Sequence, residues 1–561
     1  MNGKKILLTG TMLLFLISLL LSTSQIRAES LIASQIYVVT NTANDGVGSL
    51  RQALVNARDH AGLDYIYFDI PTTDPGYSAA LDIWFIRLSV GLRIEDGDGV
   101  EIYGGTQETT NVNFPAVVIQ ADGTPTGANL LTIYTDHNKV YDLGFFHSTG
   151  DGILIYGESN TIEGNQIFNS PYYGINLFAG ANYNLIKNNQ ICGHSLGGIY
   201  LDQAYTNTIE ENLIGLRPIY IPTVPRNGGS GITVVEGSNN WIQHNTISDN
   251  LGSGISLSPS GGNHIDSNTI GLSEDLQSSL GNSLYGIYVE GIGNEIYNNW
   301  VSGNARDGIR LVGSNTYSNK LEQNKIGISM TGTAPNAQHG IGIYNGAHDN
   351  KIGNAADADK ANMIAGNGWS GVVVVDSEIG NNDVIFNYIL YNNFYGVNIV
   401  NSPENNIIEN KIIGNGELVA SAGLRIENTS GVADRSDRNQ VMYNSITNNS
   451  GIGIELANDA NNNISAPSIV SASCSNVLGT TTPDCGTSCV VQIFSDDEDE
   501  GFMLEGTVTT VAAGNFSWSG FLNGPNVTAT VTDALGNTST FSLAKVNACI
   551  RKMQYLPLIL K

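Results

Sequence analysis

One phrase recurs along this chain at intervals too regular for an ordinary globular core. Asn-x-apolar-x-x-Asn-x-apolar begins at Asn160, Asn184, Asn207, Asn240, Asn263, Asn294, Asn319, Asn382, Asn405 and Asn439. Each copy leads to Gly-apolar-x-apolar, at Gly174, Gly198, Gly231, Gly254, Gly286, Gly308, Gly340, Gly396, Gly423 and Gly453, and looser copies at Asn138 and Asn350 lead to Gly152 and Gly371. Glycines 152, 174 and 198 lie 22 and 24 residues apart, whereas 198 to 231, 254 to 286 and 308 to 340 span 33, 32 and 32, so the longer turns carry loops. Within a turn the apolar residues alternate, as in Gly174-Ile175-Asn176-Leu177, which is strand periodicity and not helical spacing. Strands this short close no core alone. Coiled so that each pairs in parallel with its counterpart one turn on, about 4.8 Å away, they stack Ile and Val columns inside. The expected fold is therefore all-β, a parallel β-helix solenoid of about twelve turns over residues 138–465.

The asparagines are expected to be structural. They tolerate left-handed backbone at corners, and stacked amides hydrogen-bond along the column. Three residues after the first Asn, the column Glu163, Lys187, Glu210, Gln243, Asp266 places opposite charges on neighbouring rungs of a solvated face. An open coil exposes unpaired strand edges and needs covers. Residues 29–137 are read as the N-terminal cap and first turns: a strand at Tyr37–Thr40, then Ser49-Leu50-Arg51-Gln52 as a capping box opening a helix with Leu50, Ala53, Leu54 and Ala57 on one face. After Pro467, alternating segments such as Val490–Phe494, Gly506–Val511 and Val527–Thr532 predict a small β-sandwich over 466–548, followed by a tail, 549–561, too short to span a membrane.

Acids outnumber bases 52 to 25, for a formal charge of -27. Such a field repels nucleic acid and anionic membranes, and at long range it repels uronate polymers as well. Lys4 and Lys5 precede an apolar run from Ile6 to Leu21 and small residues to Ala28, the pattern of an export signal over residues 1–28, with Ala33 as a second cleavage candidate. Four of five cysteines, Cys474, Cys485, Cys489 and Cys549, crowd the C-terminal portion; in an exported protein they predict two disulfides with three possible pairings. Cys192 reads as a small buried thiol.

The repeats resemble the right-handed parallel β-helix proteins of the pectin-lyase-like fold over roughly residues 31–465. Val39-Thr40-Asn41-Thr42 followed by Gly48-Ser49-Leu50-Arg51-Gln52-Ala53 is similar to the N-terminal cap of bacterial surface members, and residues 466–548 to their Ig-like C-terminal module. The resemblance implies the fold strongly and the activity weakly, since this scaffold carries lyases, hydrolases, epimerases, adhesins and plain binding surfaces. Periplasmic accessory proteins for copper enzymes also share it, but the clustered His, Met or Cys that copper requires are absent from this sequence.

Polysaccharide-active members use the outside of one long sheet. Residues around three consecutive glycine phrases converge there: Tyr285, Asp307 and His339 before the glycine, Tyr288 and Arg310 at the x position, Glu290 and Tyr344 just after, within about 10 Å if register holds. In a lyase, Arg310 would neutralise a uronate carboxylate, His339 or a tyrosine would act as base, and Asp307 would orient the imidazole. Ion pairing between rungs is the plainer reading. No paired carboxylates of hydrolase type are recognisable; His137 follows Asp136, but without a Gly-His-Gly or Arg-Ile-Lys phrase. A second, non-catalytic strip comprises Tyr156, Phe178 and Tyr200, whose rings suit sugar faces. The acidic run Asp496–Glu500 reads as a solvated turn, with calcium the alternative and no other cofactor expected. The expectation is a secreted or cell-surface monomer that binds polysaccharide or serves as an adhesive or structural surface protein, with a polysaccharide lyase as the runner-up.

Overall fold

Every third corner of this chain returns to the same line, because the strands are too short to do anything but pair with their counterparts one turn away. The computed structural model describes residues 34–549, apart from 219, 221, 222, 355–357, 433, 487, 512 and 513; the expected export signal, residues 1–28, and the tail from 550 onward lie outside the described residues. Two sheets of fifteen strands and one of fourteen run along the coil, in chain order within each. Each turn supplies one strand to each sheet, so Thr161–Glu163, Gln166–Phe168 and Tyr173–Leu177 are successive sides of one turn. The third sheet holds two strands ahead of the recognisable repeats: Leu92–Ile94, which follows Gly91 in the same glycine phrase, and Leu131–Ile133, which lacks it; the two pair in register, and Leu131–Ile133 pairs on with Ile153–Ile155. Columns such as Ile162, Ile186, Ile209, Ile242, Ile265 and Ile296 are fully buried inside.

The asparagines form three ladders, one per corner. At the corner entering the first sheet, Asn160 N donates to Asn184 Oδ1 (2.8 Å), Asn184 N to Asn207 Oδ1 (2.8 Å) and Asn207 N to Asn240 Oδ1 (2.9 Å). Between the first and second sheets, Asn268 Oδ1 accepts from Asn245 N and Nδ2, both at 3.0 Å, while its own Nδ2 donates to Asn299 Oδ1 and to the Ile242 carbonyl. A third ladder follows the second sheet, with Asn250, Asn282, Asn304 and Asn336 linked amide to amide at 2.8–2.9 Å. His194 takes one rung of it: its Nδ1 accepts from Ser170 N, its Nε2 donates to the Ile167 carbonyl, and burial pushes its pKa down to about 3.

Two details differ from the sequence reading. The ladder asparagines of the turns are not themselves left-handed; the residue before most of them is, as with Ser159, Tyr183, Thr206, Asn239 and Asn298, though not before Asn282 or Asn336. That turn of the backbone is what aims the following side chain inward along the axis. Nor do the repeat glycines serve positive φ. A Cβ on Gly231 would stand 2.4 Å from Ile247 Cγ2 and 2.8 Å from the Gly254 carbonyl, so glycine is required there for close approach. Interiors this dense tolerate no added methyl without backbone movement.

The N-terminal cover is α1 (Leu50–Asp59), with Ser49 Oγ accepting from Gln52 N and Leu50, Ala53, Leu54 and Ala57 buried on the first turn. At the other end, seven antiparallel strands between Ser468 and Val546 form sheets of three and four around a shared core that includes Val477, Phe516, Val491 and Val531. This sandwich seats on the last turn. Asn461 Nδ2 donates to the Thr538 carbonyl, Val441 N to Thr538 Oγ1, and Asn449, the last rung of the third ladder, to the Glu500 carboxylate. Asp496 and Glu500 are therefore buried rather than solvated; Asp496 accepts from the Glu498 and Glu500 amides, and only the intervening acids face water. Disulfides join Cys474 to Cys549 and Cys485 to Cys489, and Cys192 is a free, buried thiol. Among the described residues no helix is long and apolar enough to cross a membrane.

Replacing Asn268 with Ala strands hydrogen-bonding groups on the turns either side of it, and urea unfolding should show a loss of about 2–4 kcal/mol; Gly231→Ala should cost at least about 2 kcal/mol by the clash. Burial holds the Glu500 carboxyl up at about 7, so the folded state prefers its protonated form. That preference stabilises fully below the ordinary carboxylate pKa and disappears as pH rises through about 7. Unfolding measured from about pH 4.5 to 8 should show the wild type losing about 2 kcal/mol relative to Glu500→Gln.

Candidate functional site

Strand alternation sends Ile153 and Ile155 inward and leaves Leu154 and Tyr156 on the outside of the third sheet. The outer face is thus two parallel columns. One passes through Tyr200, Thr233, Ser256, Tyr288, Arg310 and Gly342, which are direct Cα partners. The other lies two residues further along each strand, and includes Tyr134, Tyr156, Phe178, Asp202 and Tyr344.

The three-turn wall forms, with a different internal wiring from that expected. Asp307 is fully buried; its Oδ2 pairs with Arg310 Nη1 at 3.0 Å and its Oδ1 accepts from the His339 backbone N–H at 3.1 Å. Asp307 thus binds the main chain of His339 and not its imidazole. Burial pushes the Asp307 carboxyl up, against the pull of the His339 amide and Arg310. His339 Nδ1 in turn accepts from Ser370 N at 3.2 Å, repeating the same rung-to-rung bond, and burial with Arg310 nearby pushes its pKa down to about 4. The Arg310 guanidinium lies over the Tyr344 ring at 3.8 Å and the Tyr285 ring at 5.1 Å. Gly342 makes this possible: a Cβ there would stand 2.3 Å from Tyr344 Cε2. Tyr288 is tilted against Tyr285 at 5.7 Å, and Glu290 accepts from Ser258 Oγ at 2.7 Å, so Glu290 is turned to the preceding rung. Asp307, Arg310 and Tyr344 are locked to one another, which commits Arg310, while Arg306 at the edge of the wall donates to Tyr285 Oη at 3.2 Å.

The aromatic strip separates into two groups. Tyr156 and Phe178 share a column, with ring centroids 5.2 Å apart and planes 57° apart. Tyr134, unremarked in the sequence, extends it: its ring stacks on Tyr156 at 5.3 Å and 4°, with the Arg93 guanidinium 5.8 Å from Tyr134. These rings are 44, 37 and 42% exposed for Tyr134, Tyr156 and Phe178. Tyr200 belongs to the other column, half-buried and stacked on Tyr173 at 4.5 Å. Tyr134 was legible in principle, since Leu131-Thr132-Ile133-Tyr134 has the same alternation as Ile153-Leu154-Ile155-Tyr156 without the glycine.

The architecture is that of a right-handed parallel β-helix protein. A family model described as "Right handed beta helix region" matches residues 222–357, and one described as "Periplasmic copper-binding protein (NosD)" matches residues 91–219. None of the curated proteins compared matches the chain. Among solved structures it is similar to the A-module of Azotobacter vinelandii mannuronan C-5 epimerase AlgE4 (16% identity, 67% of this chain and 95% of that one, TM-score 0.43). It is also similar to the Dettilon tailspike protein (14%, 91% and 79%, 0.43) and the catalytic domain of a GH87 alpha-1,3-glucanase (11%, 75% and 68%, 0.39). The residues of the NosD-matched segment do not fit a copper centre. Both His194 nitrogens are engaged in the ladder, the segment contains no Met, and burial pushes the Cys192 thiol pKa up. Among the described residues no group of three or more His, Cys, Asp or Glu side chains is placed to hold a metal.

If the Asp307–Arg310 pair is structural, Arg310→Ala leaves a buried carboxylate unpaired and should cost about 3–5 kcal/mol in urea unfolding. Adding Asp307→Asn, which keeps an acceptor for the His339 amide, should recover most of that loss, a coupling a double-mutant cycle reads directly.

Proposed function

We propose that this is an exported polysaccharide-binding β-helix protein, with the column Tyr134, Tyr156 and Phe178 as its sugar-contacting strip. The observation that carries the reading is the run of three exposed rings on successive turns, spaced 5.3 and 5.2 Å. A buried ring serves packing, whereas a repeated exposed one costs solvation on every turn and offers an extended apolar edge on an otherwise polar surface. The strip runs along the coil axis, so it suits a linear polymer rather than a single small molecule. The export signal over residues 1–28 supports a partner outside the cytoplasm.

The lyase reading gains less from the geometry. A base must reach its proton, and the His339 Nδ1 lone pair is occupied by Ser370 N. Affinity electrophoresis against soluble polysaccharides tests the binding reading. Tyr156→Ala combined with Phe178→Ala should weaken retention by about tenfold, the loss of roughly 1.4 kcal/mol of ring contact. Tyr200→Ala, in the neighbouring column, should change it less than about twofold. Equal retention by the double variant and the wild type would remove the strip from the binding surface.

A further inference from the structure

We infer that the strip takes a neutral polysaccharide and rejects polyuronates; this rests on the binding reading above. The charge around the rings is one-sided. From Ile94 to Ile186, the stretch that builds the three aromatic rungs, there are eleven Asp and Glu residues and a single Lys or Arg, Lys139. That lysine is already spent, its Nζ 2.8 Å from Glu101 Oε1 on the first sheet. Arg93, at the end of the column, is 3.6 Å from Glu95, whose other oxygen lies 3.7 Å from Arg58.

The acids nearest the rings are in place to act on a bound polymer. Asp136 and Glu158 each follow a strip tyrosine by two residues and are exposed. They are also pinned: Asp136 Oδ1 accepts from Glu158 N at 2.6 Å, and Glu158 Oε1 accepts from Asn182 Nδ2 at 3.0 Å. Asp202 occupies the rung after Phe178, and Glu236 lies one rung beyond, held by Gln203 Nε2 at 2.9 Å. A chain lying on the rings therefore runs beside a row of carboxylates, three of them, Asp136, Glu158 and Glu236, held by hydrogen bonds. Each carries spare acceptor lone pairs, which suit sugar hydroxyls and oppose sugar carboxylates. The acids lie within a Debye length of the strip, so physiological salt screens the repulsion only in part.

Binding by the full-length mature protein should be measured with dextran, a soluble β-glucan and galactomannan as neutral probes. Polygalacturonate and alginate serve as acidic probes, each at low and high salt and with either chelator or millimolar calcium. The expected result is retention by at least one neutral polymer, changing less than about twofold with salt, and none by either polyuronate under any condition. Polyuronate retention equal to or above that of the neutral polymers, with or without calcium, would overturn the inference while leaving the binding reading intact. Retention by no polymer at all would remove the binding reading itself. Neutral retention unaffected by Tyr156→Ala with Phe178→Ala would place the neutral site elsewhere and overturn the inference at this strip.

Discussion

The axial asparagine ladder is the interaction on which the rest of this molecule depends. At each corner the backbone must turn while remaining inside the coil, and a buried N–H without an acceptor is expensive. Asn supplies an acceptor to the turn before it and a donor to the turn after it, and its short side chain keeps both within one rung. Asp would lack the donor and stack like charges at the inter-strand spacing of about 4.8 Å. The substitutions the chain does use obey the same requirement. His194 provides an acceptor at Nδ1 and a donor at Nε2, and Glu500 reaches in from the sandwich to receive the last donor, Asn449. The coil thus ends on a partner that completes its hydrogen bonding rather than on an open edge.

Glycine and isoleucine share the second constraint. The missing Cβ of Gly231 is the space into which Ile247 of the following turn projects, and the same relation holds between Gly254 and Ile270 and between Gly340 and Ile364. Period, register and interior packing are consequently inseparable, and one inserted residue between corner and glycine would displace both a ladder and a core column.

This explains which parts were legible in the sequence. The strand register that sets Tyr288 beside Arg310 follows from counting from each Gly, because packing enforces that count. The reasons assigned to individual residues were less accessible. Left-handed backbone was ascribed to Asn, a residue type that tolerates it, yet it falls one position earlier, on residues as unlike as Ser159, Tyr183 and Thr206, because tertiary hydrogen bonding overrides local preference. Counting from each Gly makes Asp307 and His339 neighbours on the wall, but the main chain competes for the carboxylate. The His339 N–H, one turn away, takes the carboxylate oxygen that the imidazole was expected to engage. The burial in the acidic run Asp496 to Glu500 is hidden for a related reason: nothing local indicates that Glu500 meets the last turn of the coil or that Asp496 turns in to accept the Glu498 and Glu500 amides.

Because stability is secured inside, the outward columns are free to vary from turn to turn, and the two groups of aromatics on the third sheet show two uses of that freedom. Around Arg310 the rings are consumed within the protein: Tyr285 and Tyr344 flank a guanidinium that neutralises a buried acid, in turns whose connecting loops are long. Around Tyr156 the turns are the short ones, with glycines at 152, 174 and 198, and the connections into the third sheet span only a few residues. The rung of Tyr134 is entered through a longer connection, residues 122–130. An exposed aromatic column bordered by acids is the surface on which the proposed preference for a hydroxyl-rich polymer over a carboxylate-rich one rests.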